Sequence, residues 1–347
     1  MRLSSIGDVV MGTPAAAALK KARPDLHVAW VVEDRSHELL LGNPSIDEVL
    51  VAPRSRWSRM RQEGRYLAAL RELYAFLRDL RRRRFDIAVD LQGRLKSALT
   101  AYASGAPVRI GPVDAGEGSK VFYTCAGPVG RQTRRASERY LRILEPLGVP
   151  YEPSDMHVQV QAGDMDAAQA VLARCGVARP FAALCPATTF RTKFWTAQGF
   201  AAVADGLYQE FGLRSVVLGA RGDVPLALEI ASLAKAPVAV AAGQTSLRTA
   251  AALIALSSLV VSVDTGLLFV ALAVGTPAVG LFGPTMHSHL ADERLVVVSK
   301  PFACAPCYRN PTCANRDCMT AITPRDVVAA AESALERFGA LPRPARI

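Results

Sequence analysis

A chain of 347 residues exceeds what one hydrophobic core usually serves and predicts two domains. Half of its residues are apolar, and 41 basic against 31 acidic side chains leave a formal charge of +10, which favours an anionic partner: a phosphate ligand, nucleic acid or an acidic membrane surface. Seven cysteines are too few for a disulfide scaffold and their odd number leaves at least one unpaired, so a reducing compartment is expected.

The opening stretch "MRLSSIGDVVMGTPAAAALKKARP" has neither the basic leader nor the uninterrupted apolar core of a secretory signal, and a cytoplasmic location is expected. Asp8 falls in a Ser/Gly-rich turn ahead of an Ala-rich helix ending near Arg23, with Thr13 as a candidate cap and Pro14 in the first turn. Asp8 reads either as a local cap or as a general base facing a cleft. Strands are expected at "HVAWVV" and "EVLVA", then a loop bearing Arg54, Arg56, Arg59, Arg61 and Arg65, then a helix through "RYLAALRELYAFLRDLRRRR". Between Val51 and Arg84 eleven arginines stand against Glu63, Glu72 and Asp79, a local balance of +8. Guanidinium forks suit carboxylates and phosphates, whereas Arg71 and Arg78 read as a solvated helix face.

"FDIAVDL" is the next expected strand, and "LGVPYEPSDMHV", residues 147–158, interrupts both periodicities and marks the hinge. This divides the chain into 1–155, 156–322 and a closing helix in 323–347. "DMD" at 164–166 resembles a metal-binding motif but opens a helical pattern, where aspartate serves as cap and dipole partner. Strands follow at "FAALCP", "RSVVLGA", "PVAVAA", 259–263 and 278–282, with helices at 196–212, 246–256 and 267–274. The alternation predicts two doubly wound α/β domains with buried parallel strands.

From Thr249 to Gly283 the only charge is Asp264, yet "SS", "DTG", "GTP" and "FGPT" break the run every few residues, so no spanning helix is expected. Loops that follow parallel strands carry ligands. One is Asp264-Thr265-Gly266, which either caps the next helix or presents its free N–H groups to an anion. Another is "CPATTFRTKFWTAQGF", where Thr188, Thr189, Arg191 and Lys193 form either a solvated basic loop or the small-donor and point-charge mixture a diphosphate needs. Cys304, Cys307, Cys313 and Cys318, spaced C-x2-C-x5-C-x4-C, offer four thiolates for a structural zinc or an iron–sulfur cluster. No histidine lies at ligand spacing with a carboxylate. No G-x-G-x-x-G follows a first strand, as a nicotinamide oxidoreductase would require, and the basic residues lack the interleaved aromatics of a nucleic-acid binder.

"SSIGDVVMGTPAAAALKKARP", "DLQGRLKSALTAYASGAPVRIG", "PATTFRTKFW" and "DTGLLFVALAVGTPAVGLFGPT", in this order, resemble the ADP-heptose:lipopolysaccharide heptosyltransferases of glycosyltransferase family 9. "ATTFRTKFW" is most similar to the heptosyltransferase I branch, which adds the first heptose to the Kdo–lipid A inner core. The resemblance implies a GT-B fold, two Rossmann-like domains facing a central cleft, the N-terminal one for the acceptor and the C-terminal one for the donor. The closing helix from about Thr323 would return to brace the first domain. It further implies inverting transfer with no metal required, Asp8 as base, Thr188, Thr189 and Lys193 on the donor diphosphate, and Asp264, Thr265 and Gly266 as the donor loop. Partners on this reading are the nucleotide sugar, an anionic Kdo–lipid A acceptor met by the five loop arginines, and the inner face of the cytoplasmic membrane, with a monomer expected and no nucleic acid.

Three positions depart from the family pattern. Phe269 stands where the family usually has histidine and can neither donate a hydrogen bond nor carry charge. Only Met1, Arg2 and Leu3 precede the first turn, where the family carries an apolar strand: either a very short strand or a late start, and a truncated strand would loosen Asp8. "LGARGD" lacks the expected acid directly after its alanine, leaving Asp223 as the candidate for the ribose. A transferase using another nucleotide sugar, or a member that binds without transferring, is the alternative.

Overall fold

The computed structural model describes residues 1–128, 136–150, 155–287, 290, 292–308, 313 and 315–338. Part of the expected hinge, 151–154, and the last nine positions therefore lie outside the described residues. The chain forms two compact units, Met1–Gln159 and Val160–Ile347.

The first unit runs α1 (Ile6–Ala22), β1 (Ala29–Glu33), β2 (Glu48–Ala52), α2 (Arg54–Gln62), α3 (Tyr66–Arg82), β3 (Ile87–Val89), α4 (Leu95–Ala103), β4 (Val108–Pro112), β5 (Cys125–Gly127) and α5 (Ala136–Arg142). Strands β1 and β2 pair in parallel, and β3, β4 and β5 form a second parallel sheet. Residues 1–3 run between the two sheets and bond to both. The Leu3 carbonyl accepts from Glu33 N at 2.9 Å, the Met1 carbonyl accepts from Leu91 N at 2.9 Å, and the Met1 ammonium donates to the Val89 carbonyl. Alternation along β1 sends Trp30 and Val32 towards Val9, Ala15 and Ala16 of α1 and Tyr140 of α5, and Val31 towards Leu80 and Phe76 of α3. Around the starting ends of β1 and β3 lies an apolar cavity of about 420 Å³, lined by Met1, Val31, Leu80, Phe85, Ala88 and Leu147 among others.

Two expectations are corrected here. Helix α1 begins at Ile6, so Asp8 occupies its first turn, not a preceding loop, and Pro14 lies inside the helix. The helix tolerates this proline because the Thr13 hydroxyl donates to the Val10 carbonyl at 2.8 Å, the acceptor that a residue-14 N–H would have served. The arginine-rich stretch is also not a loop. Residues 54–62 form α2, since Trp57 and Met60, three apart, bury one side of a single turn and Trp57 packs edge-on against Phe76. Of the five arginines, Arg54, Arg56, Arg59 and Arg61 are helical and Arg65 sits at the start of α3.

The second unit runs α6 (Ala162–Arg174), β6 (Phe181–Cys185), α7 (Ala197–Phe211), β7 (Arg214–Val217), α8 (Val224–Leu233), β8 (Val238–Val240), α9 (Leu247–Leu256), β9 (Leu259–Val263), α10 (Gly266–Ala273), β10 (Ala278–Phe282), β11 (Leu295–Ser299), α11 (Asp317–Thr320) and α12 (Pro324–Arg337). Its six strands pair in parallel in the order β11-β10-β9-β6-β7-β8. Every residue of β6, β9 and β10 is buried, as the continuous apolar runs predict. Among the described residues no helix is long and apolar enough to cross a membrane, and the run containing Asp264 divides into α9, β9, α10 and β10. Strands β4, β5 and β11 were not anticipated. β5 has three residues, and among the described residues no helix precedes β11 after β10, so neither leaves a strand-helix alternation to read.

Asp164 of the "DMD" sequence accepts from Gln161 N at 2.9 Å in the first turn of α6 and pairs with Arg248 of α9 at 2.5 Å, so it is a helix cap and tie. The closing helix, which the family resemblance implied would brace the first domain, buries Val327, Ala331, Ala334 and Leu335 in the core of the second unit with Phe200, Val203 and Leu207 of α7.

Candidate functional site

The strand order of the second unit reverses between β6 and β9, the crevice where open parallel sheets bind ligands. The loops leaving these two strands carry Thr188, Thr189 and Lys193 on one side and Asp264, Thr265 and Gly266 on the other, and they meet. Lys193 Nζ lies 2.6 Å from Asp264 Oδ2, and the Thr188 hydroxyl donates to the Asp264 carbonyl at 3.4 Å. Both charged side chains are mostly buried, 18% and 13% exposed. Thr189 is exposed beside them. Thr285, delivered by the loop after β10, donates to the same Asp264 oxygen at 2.7 Å. It was not singled out from the sequence, although "FGPT" follows a buried strand as the other two loops do.

Thr265 occupies the cap position of α10, yet its hydroxyl makes no capping bond, and the Asp264 carboxylate faces Lys193 and Thr285. Among the described residues no side chain caps the positive end of the α10 dipole, the kind of helix start that suits a phosphate. Phe269 is buried in α10, 7% exposed. Asp223, the candidate for the ribose, turns back on its own loop, where it accepts from Ala220 N at 2.8 Å.

A second tier of contacts holds the lysine turn, and sequence reading missed it. Arg316 donates to the carbonyls of Arg191 at 3.3 Å and Phe194 at 3.2 Å, Thr192 donates to the Tyr308 carbonyl at 2.9 Å, and Trp195 Nε1 donates to the Ile322 carbonyl at 3.2 Å. The cysteine-bearing segment is thus the brace of the Lys193 turn. Within it Cys304 is exposed and Cys318 is buried. A side chain at Gly283 would meet Cys318 Sγ at 2.8 Å and Met319 Sδ at 2.7 Å, which explains glycine there. Among the described residues, no group of three histidine, cysteine or acidic side chains is close enough to hold a metal, while the Cys318 thiol, raised first by burial, is raised further by Cys307, Cys313 and Cys304, so the four thiols lie within electrostatic reach of one another.

In the first unit Asp8 is held at every oxygen. Arg2 pairs with Oδ1 at 2.7 Å, the Tyr140 hydroxyl lies 3.3 Å from the same atom, and Ser5 donates to Oδ2 through its hydroxyl at 2.8 Å and its N–H at 3.2 Å. Burial alone would raise the Asp8 pKa, but the Arg2 charge and the hydrogen bonds from Arg2 and Ser5 outweigh it and hold the group below the ordinary carboxylate value. Burial, with the Asp8 charge adding to it and Arg2 opposing, pushes Tyr140 up to about 12. The short stretch before Asp8 supplies its partners, Arg2 and Ser5.

Beside Asp8, Lys96 of α4 donates to Ser4 Oγ at 2.8 Å and Glu33 at 2.7 Å, and Arg54 reaches Glu33 at 3.4 Å. Lys96 lies in "DLQGRLKS" but no local pattern singles it out. Of the other four arginines, Arg56 pairs with Glu72 and Arg65 with Glu63, while Arg59 and Arg61 are exposed.

The glycosyltransferase family 9 (heptosyltransferase) model matches residues 73–316. Lipopolysaccharide heptosyltransferase 1 of Pseudomonas aeruginosa is 27% identical over 321 residues, 90% of this chain and 86% of that protein. Lipopolysaccharide heptosyltransferase 3 of Escherichia coli is 24% identical across 81% of this chain and 82% of its own length. Among solved structures, a family 9 glycosyltransferase from Veillonella parvula superposes with a TM-score of 0.79 at 23% identity, covering 96% of this chain and 95% of that one. The E. coli heptosyltransferase WaaC with ADP gives 0.71 at 25%, covering 97% and 99%. The fold is the α/β GT-B type of these glycosyltransferases. With most of its length matched by the family model, and with the strand-end loops described above, the chain belongs to glycosyltransferase family 9, the heptosyltransferase family.

Proposed function

We propose that the protein transfers a heptose from ADP-heptose to the Kdo–lipid A inner core during lipopolysaccharide synthesis, with inversion at the anomeric carbon. The observation that carries this reading is the convergence of Lys193, Asp264, Thr188 and Thr285 at the switch point of a six-stranded parallel sheet, in a chain of the heptosyltransferase family. Cleavage of the sugar–phosphate bond leaves positive charge at the anomeric carbon and negative charge on departing ADP. Lys193, oriented by Asp264, and the start of α10 stabilise that leaving group, with Thr188, Thr189, Thr265 and Gly266 lining it. Asp8 takes the proton of the acceptor hydroxyl as the new glycosidic bond forms. Asp223, held on its own loop through the Ala220 N–H, remains the candidate for the ribose. Arg54, Arg56, Arg59, Arg61 and Arg65 receive the anionic acceptor, and the enzyme works on the inner face of the cytoplasmic membrane.

The test is incubation of the purified protein with ADP-heptose and Kdo–lipid A, followed by mass spectrometry, beside Asp8→Asn. A gain of one heptose that the variant loses while still binding ADP supports the reading. Bound ADP without transfer would point to another sugar or acceptor, and no ADP binding would overturn the donor site. Phe269 favours a second reading, transfer of a different sugar from a nucleotide donor, because it removes a hydrogen-bonding group from α10.

A further inference from the structure

The first unit leaves large apolar side chains in water on one group of neighbouring elements. On α3, Leu67 is 84% exposed, Tyr74 66%, and Tyr66 and Leu70 61% each. Their spacing of one, four and eight residues from Tyr66 keeps them within one stripe of the helix. Most of the core face lies to one side of this stripe, since Ala69 and Leu80 of the same helix are buried and Phe76 packs beside Leu80. Helix α4 packs against α3 and adds Leu95, Leu99 and Tyr102, all exposed, with Val121 at 81% on the adjoining turn.

Arginines border the stripe. Arg71 and Arg78 lie on α3 itself, with the Arg78 guanidinium over the Tyr74 ring at 5.9 Å, and α2 packs alongside with Arg54, Arg56, Arg59 and Arg61 exposed. Among the described residues Arg59, Arg61 and Arg71 form no ion pair. Leucines flanked by tyrosines and rimmed by arginines are the composition of a helix lying in a bilayer interface, where rings sit at headgroup depth and guanidinium groups reach lipid phosphates. We infer that Tyr66, Leu67, Leu70 and Tyr74 of α3 insert into an anionic lipid leaflet, with the α2 and α3 arginines on its headgroups. A second copy of the chain is disfavoured as occupant because it would bring two segments of local charge +8 together. Nucleic acid would leave Leu67 and Leu70 against phosphates.

This deepens the proposed membrane-side acceptor reading, and its test is independent of transfer. Full-length protein is floated with vesicles of phosphatidylethanolamine and phosphatidylglycerol, or of phosphatidylcholine alone, containing neither lipid A nor nucleotide sugar. Binding to the anionic vesicles, weak binding to the neutral ones, and about a tenfold loss for Leu67→Glu/Leu70→Glu with an unchanged melting temperature are expected. Equal binding by the double variant, equal binding to both vesicle types, or none to either would overturn the inference. So would sedimentation velocity showing a native dimer that the double variant separates. Failure of heptose transfer with vesicle binding intact would count against the proposed activity alone.

Discussion

Lys193 and Asp264, 71 residues apart in sequence, place an ammonium nitrogen 2.6 Å from a carboxylate oxygen at the point where the order of a six-stranded parallel sheet reverses. The pair aims a cation at the start of α10 and is itself held by Thr285.

Removal of Lys193 leaves Asp264 without its cation and, on the proposed function, leaves the departing diphosphate without a point charge. Lys193→Ala is expected to lower kcat/KM by about 10²–10³-fold, the scale of a lost transition-state donor. Thr285→Val removes only a hydrogen bond that orients Asp264, and a loss of about tenfold is expected. Steady-state kinetics with nucleotide-sugar donor separate the two; equal effects would contradict the ranking.

Arg316 reaches the Lys193 turn through two backbone carbonyls. Arg316→Ala should raise KM for the donor several-fold with little change in KM for the acceptor, because the two carbonyls it releases, those of Arg191 and Phe194, belong to the Lys193 turn. A matched rise in both constants would show a general loss of structure.

Asp8 stays ionised because Arg2 and Ser5 overcome its burial. A carboxyl whose folded pKa is depressed contributes stability above its ordinary value of 3.8, lost as pH falls through the folded value. In kcat/KM the acid limb belonging to Asp8 is therefore expected below that value, and Arg2→Met should move it to higher pH, since burial then acts unopposed. An unmoved limb in the variant would remove Asp8 from the role of base.

Asp164 and Arg248 tie α6 to α9, and Arg248 first, with the Gln161 N–H, holds the Asp164 pKa below 3.8 against its desolvation. Asp164→Ala is expected to cost about 2 kcal/mol of stability at neutral pH, from a lost pair and a lost cap. The difference from the native protein should shrink in denaturant titrations as pH falls through the folded pKa of Asp164, where the native carboxylate also loses its charge. Loss of transfer without loss of stability would assign Asp164 a role the geometry does not give it.

The second unit was legible because its strands are apolar on both faces and its helices amphipathic, two periods that local sequence displays directly. β9 and β10 fall where 259–263 and 278–282 place them. The loops after β6 and β9 were picked out for the same reason, that loops leaving buried parallel strands carry ligands in this architecture, and the structure brings them together through Lys193 and Asp264. The first unit was less legible. Pro14 read as a helix start because the compensating Thr13 hydroxyl is a structural fact, and the arginine run read as a loop because only Trp57 and Met60 mark its buried side.

What the sequence determined by itself is the alternation of elements, the charge balance and the identity of the residues at strand ends, all of which depend on neighbours a few positions apart. Tertiary structure decided which of those residues act together. Thr285 joins Lys193 and Asp264, Arg316 and Tyr308 hold the turn between them, and Lys96 meets Glu33 beside Asp8. These contacts join segments far apart in the chain, and hydrogen bonds and ion pairs act only over a few ångströms, so they exist only once the sheets bring the loops together.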